Sequence, residues 1–104
     1  MSVRRGKRAT RLILTGHVSL DRAVELHGAA SKAAKAGRDV VLDWSQAEHL
    51  SAAALQVLLA LRAALAARGR KLLVNETPAP LLRALEVAGA AELAAGPELP
   101  SEVN

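Results

Sequence analysis

The 104-residue chain has no cysteine, no tyrosine and no phenylalanine, and a single tryptophan, Trp44. Each absence removes a class of function. Without cysteine there is no disulfide framework, no thiolate metal site and no cysteine nucleophile, and nothing points to an oxidising compartment. With one aromatic ring there is no platform on which unpaired bases could stack, so specific nucleic-acid binding is not expected. No apolar run reaches the roughly 20 residues that a membrane-spanning helix needs. The basic N-terminus lacks the apolar segment of a secretion signal. The expected location is the cytoplasm.

What is present suits one globular domain. The composition is 51% hydrophobic and 23% charged, which separates it from disordered chains. The net charge of +4 is unevenly placed: Arg4, Arg5, Lys7, Arg8 and Arg11 are 5 of the 14 basic residues, leaving 9 against 10 acidic ones. The body is thus near neutral and residues 1–10 form a basic arm. Such an arm could touch nucleic acid, anionic lipid or an acidic partner; the simpler expectation is a solvated, frayed terminus. The domain itself is expected over 11–95, followed by a loose tail over 96–104.

The pattern along the chain alternates. "RLILT", Arg11 to Thr15, reads as a strand closed by Gly16. Asp21 to Ala36 reads as a helix, with Asp21 as N-cap, Gly37 as stop, and Val24, Leu26 and Ala30 in its apolar stripe. "DVVL", Asp39 to Leu42, is apolar on consecutive residues, as in a strand covered on both faces or a central parallel strand. "DWSQAEHL" reads as its connection to a helix from Ala52 to about Arg68. "KLLV" is a third strand, Leu81 to Ala88 a last helix, and "AAELAAG" a half-turn or short edge strand. Strand, helix, strand, helix, strand, helix argues for an α/β domain with a mainly parallel sheet and helices packed on it.

No catalytic motif stands out. "TGHVSLD" after the first strand contains neither GxGxxG nor GxxxxGK[ST], so nucleotide binding by those routes is not expected. His17, His27 and His49 are 10 and 22 residues apart, which is no zinc spacing. Ser45 or Ser51 could be drawn with a histidine and Asp43 as a triad, yet no G-x-S-x-G elbow surrounds either serine. No enzyme activity, cofactor or metal is expected.

The helix after Ser51 carries the most information. At 100° per residue, Ala54, Leu58, Leu61 and Leu65 share one sector that must face the sheet, flanked by Leu55 and Val57. The opposite side holds Ala52, Gln56, Leu59, Ala60, Ala63 and Ala67, without a charge. Either neighbouring helices cover that side, or alanine there is simply a good helix former, or it is a partner interface with Leu59 as apolar anchor. Ser51 stands where an N-cap would, able to accept from a free N–H of the first turn.

"VVLDWSQAEHLSAAALQVLLALRAALAARGRKLLV", Val40 to Val74, resembles the centre of a STAS domain, the family named for sulfate transporters and anti-sigma-factor antagonists. Asp43-Trp44-Ser45 matches the family's Asp-Leu-Ser at a strand end. Ser51-Ala52-Ala53-Ala54-Leu55 falls on its Asp-Ser/Thr-x-Gly/Ala-Leu at a helix start. "LILTGHVSLDRAVEL" and "PAPLLRALEVAGAAEL" extend the resemblance over about Arg11 to Leu93. It implies a STAS-type α/β fold and a non-enzymatic, bacterial regulatory module. The implied partner is a protein of the anti-sigma-factor or serine-kinase type, docked around residues 48–59 through Glu48, His49, Ser51, Ala52, Ala53, Gln56 and Leu59. The alternative it implies is a subunit of a larger assembly, such as a lipid-transport ABC, chemotaxis or stress-signalling complex; a homo-oligomer also remains open. The family's phosphoacceptor falls on Ala52, which has no hydroxyl, and its acidic neighbour on Ser51. The chain then binds without being switched, or Ser51 is a substitute acceptor, or Ala52 replaces a native hydroxyl. The family's usual extra N-terminal strand has only the basic arm in its place.

Overall fold

A computed structural model of the chain describes residues 2–5, 9–74 and 77–93. Consecutive apolar residues in "VVL" put β3 (Asp39–Leu50) at the centre of a four-stranded sheet. Its neighbours are β2 (Ala9–Val18) and β4 (Leu72–Val74), both parallel to it. β1 (Ser2–Arg5) pairs antiparallel with β2, completing the order β1-β2-β3-β4. The crossovers are α1 (Leu20–Lys35) and α2 (Ala52–Ala67), and α3 (Ala79–Val87) follows β4, ending in a 3-10 turn at Ala91–Leu93. The mainly parallel α/β arrangement is the one the alternation predicts.

One core holds the sheet and helices together. Leu12, Leu14, Val40, Leu42 and Trp44 from the sheet meet Leu26, Leu58, Leu65, Leu81, Leu85 and Leu93 from the helices and the final turn, all essentially inaccessible. Burying a leucine side chain to this extent contributes about 1.5–3 kcal/mol. Val41, pointing to the other face of the sheet, is buried without joining that core. The stripe expected on α2 is the one observed: Ala54, Leu58, Leu61 and Leu65 are buried.

Four expectations are corrected. The arm expected to be a frayed terminus contains β1, whose register pairs Ser2 with Ile13 and Arg5 with Thr10. An edge position satisfies the strand's backbone through β2 alone, which a basic sequence permits because charged edge strands resist further pairing. Val24 is 75% exposed, and the stripe of α1 is Ala23, Leu26, Ala30 and Ala33; residue 24 stands about 160° from residue 26 and about 120° from residue 30 on a helix, so it cannot share that face. The N-cap position is Ser19, without a side-chain cap, rather than Asp21, which lies in the first turn and favours the helix dipole from there. Finally, "DWSQAEHL" is not a connection but the second half of β3.

That last correction has a geometric cause. Between Ile13 and Thr15 of β2, the partner strand advances from Asp43 to Gln46; between Gly16 and His17 it advances from Ala47 to His49. β3 therefore carries two bulges, each inserting one extra residue. Its core-facing residues are spaced by two at Val40, Leu42 and Trp44 and by three afterwards, at Ala47 and Leu50. Gly16 sits at the second irregularity with φ 64°, a conformation costly for any side chain with a Cβ. It does not close β2, as its sequence context suggests, but lets the strand run on to Val18. The tail expected over 96–104 lies outside the described residues.

Candidate functional site

The C-terminal ends of β2 and β3 and the N-terminus of α2 meet at one end of the sheet. The Ser51 N–H donates to Val18 O at 2.9 Å, extending the β2–β3 ladder into the helix start. Ser51 Oγ then accepts from the Ala54 N–H at 3.1 Å, and Ser51 O accepts from the Leu55 N–H at 3.0 Å. The expected cap is thus in place, in an extended backbone (φ −67°, ψ 160°). Ala52 is exposed beside it, Ala53 half-buried, and Gln56 exposed one turn on.

The second bulge exposes two successive side chains, Glu48 and His49, between the buried Ala47 and Leu50. His17, from β2, joins them. Its Nε2 lies 3.0 Å from Glu48 Oε2, and its ring centroid lies 6.0 Å from that of His49. Both partners of the pair are about 70% exposed, so the contact is solvated and weak. Arg22, in the first turn of α1, donates from one guanidinium nitrogen to Thr15 O at 3.2 Å and His17 O at 3.3 Å, tying the helix start to the end of β2. Sequence reasoning singled out Glu48 and His49 but not His17 or Arg22. The signal that joins them is register, which depends on two bulges that no local pattern reveals.

The face of α2 opposite the core is only partly as expected. Ala52, Gln56, Ala60, Ala63 and Ala67 are exposed and uncharged. Leu59, expected as an exposed anchor, is half-buried and packs against the core. Ala53 and Val57 do the same. On one flank, α1 approaches closely enough that His27, Ser31 and Ala34 share a shallow groove with Val57, Ala60 and Ala64. On the other, Arg62 reaches Glu92 of the 3-10 turn at 3.4 Å. The outer surface is therefore a narrow strip of small side chains leading away from Ser51.

The pieces of a hydrolytic triad are not assembled. Asp43 Oδ2 accepts from Arg11 at 3.0 Å, and its Oδ1 accepts from the Ser45 hydroxyl at 2.9 Å. Among the described residues no histidine hydrogen-bonds to Ser45 or Ser51, and no group of three potential metal ligands converges. Trp44 is fully buried, its indole N–H donating to Thr77 Oγ1 at 3.1 Å, so it anchors the segment ahead of α3. The geometry at the Ser51 end offers a surface with a fixed backbone and exposed polar and small side chains, suited to contact with another macromolecule.

Comparison with known proteins agrees on the fold. The family model described as "Mlab, STAS domain" matches residues 1–95. The anti-sigma factor antagonist SpoIIAA in its unphosphorylated form superposes with a TM-score of 0.76 at 9% identity, covering 88% of this chain and 83% of that one. A proposed anti-sigma factor antagonist from Thermotoga maritima superposes with a TM-score of 0.75 at 10% identity, covering 88% and 80%. No curated protein matches the chain significantly.

Proposed function

Because this chain belongs to the STAS domain family, we propose that it is a non-enzymatic regulatory module that docks a protein partner through residues 48–59. The observation that carries the reading is the junction at Ser51. There a hydrogen-bonded cap, two bulge-exposed side chains (Glu48 and His49) and an uncharged strip (Ala52, Gln56, Ala60) form one continuous surface. A free helix face normally carries Lys, Glu and Arg; small side chains allow a partner's backbone to approach. Ala53 and Leu59 support this surface from beneath rather than forming it. The partner fits the anti-sigma-factor or serine-kinase class that the likeness to anti-sigma factor antagonists suggests, met in the bacterial cytoplasm.

The module works unswitched. Ala52, at the position where the resemblance places a phosphoacceptor, offers no hydroxyl. The Ser51 oxygen is already engaged by the Ala54 N–H. A partner purified by affinity capture should bind Ala52→Glu at least ~10-fold more weakly than wild type, since a charge in an interface core is depleted for good energetic reason. Equal affinity in that variant would remove the docking site. A complex that survives high salt at fixed stoichiometry would favour a permanent subunit of a larger assembly over an exchangeable regulator.

A further inference from the structure

The opposite end of the domain has a different chemistry. The strand N-termini and helix C-termini gather there. Lys32 and Lys35 stand in the last turn of α1, and Arg68, Arg70 and Lys71 follow α2. Register brings the two groups to one edge: Ala9 pairs with Asp39, Val40 with Leu72, and the Val40 N–H donates to Lys71 O at 3.0 Å. Register also places Arg5 of β1 opposite Thr10 at this end. All five side chains from Lys32 to Lys71 are exposed, and none makes an ion pair among the described residues. The acidic residue amid them, Asp39, accepts from the Lys71 backbone N–H.

Helix dipoles explain part of this placement but not all of it. Each helix C-terminus presents about half a negative charge, so α1 and α2 together call for roughly one compensating cation. With Asp39 also counted, a surplus of roughly three positive charges remains before Arg5 is considered. Lys32 and Lys35 line one shallow groove with Arg38 at the end of α1, and Arg68, Arg70 and Lys71 extend the charge from the end of α2 to the start of β4.

We propose that this end is a membrane-facing surface, held electrostatically to anionic phospholipid headgroups. A cluster of Lys and Arg is what an anionic bilayer surface attracts. A nucleic acid fits less well. Duplex readers place a helix or a strand pair into a groove, whereas the cations here stand at the ends of separate elements. Single strands are held by stacking on rings, and the one aromatic side chain, Trp44, is inaccessible. The Ser51 end lies at the far ends of β2 and β3, about 30 Å away at 3.3 Å per residue. A protein partner and an anionic bilayer can therefore be bound together.

The test is co-sedimentation of the full chain with vesicles of phosphatidylcholine alone or with about 30% phosphatidylglycerol. The chain should pellet with the anionic vesicles only, and be released by about 0.5 M salt. Combined Lys32→Gln, Lys35→Gln, Arg68→Gln and Arg70→Gln should weaken the partition at least ~10-fold, with an unchanged circular dichroism spectrum. Arg83→Gln, on α3, should bind as wild type. No partition onto anionic vesicles, or undiminished partition of the four-site variant, would overturn the proposal. So would preferential displacement of the chain from vesicles by duplex DNA at equal phosphate concentration.

Discussion

Single residues set the geometry of the Ser51 end. Ser51 serves both the sheet, through its N–H, and the helix, through Oγ. Replacing it with alanine removes only the second contact. Ser51→Ala should cost about 1 kcal/mol, lowering Tm by roughly 4–8 °C in a domain of this size. Ser51→Asp keeps the cap and should melt close to wild type; an equal loss in both variants would show that the hydroxyl acts other than as a cap. Gly16 has a comparable role on β2. With φ 64°, Gly16→Val should destabilise by about 1–3 kcal/mol in urea unfolding, and it should also disturb the His17–Glu48 contact. Incubation with a cognate kinase should leave the intact mass unchanged, and a phosphate on Ser51 would contradict the unswitched reading.

At the scale of elements, α2 divides into a core face and an outer strip. Leu58 is fully buried, so Leu58→Ala should cost about 2–5 kcal/mol through lost burial and a residual cavity. Ala60→Gln, on the outer strip, should change stability by less than about 0.5 kcal/mol. This helix was legible in the sequence because its leucines recur at helical spacing and its ends carry Ser51 and Gly69. α1 was legible in extent, but Val24 was misplaced on its buried face by hydrophobicity, where angle alone assigns it to solvent. The second half of β3 was not legible. Two bulges change the spacing of buried residues from two to three, which removes the alternation by which a half-buried strand is known. β1 was hidden for another reason: its run of arginines carries no apolar alternation, and the pairing it makes with β2 is a matter of register.

The whole molecule is a sheet with two chemically unlike ends. At one end, bulges and a capped helix display Glu48, His49, Ala52 and Gln56. At the other, cations gather around the strand starts. The alternation of elements foretold the fold. It could not foretell the ends, because these combine residues such as His17 with Glu48, or Asp39 with Lys71, that only register makes neighbours. No helix among the described residues is long and apolar enough to cross a membrane. The most direct test of the docking surface is a calorimetric titration of the captured partner into wild type and Ala52→Glu, two proteins with matched thermal stability. The account predicts at least a ~10-fold higher Kd for the variant; an unchanged Kd would contradict it.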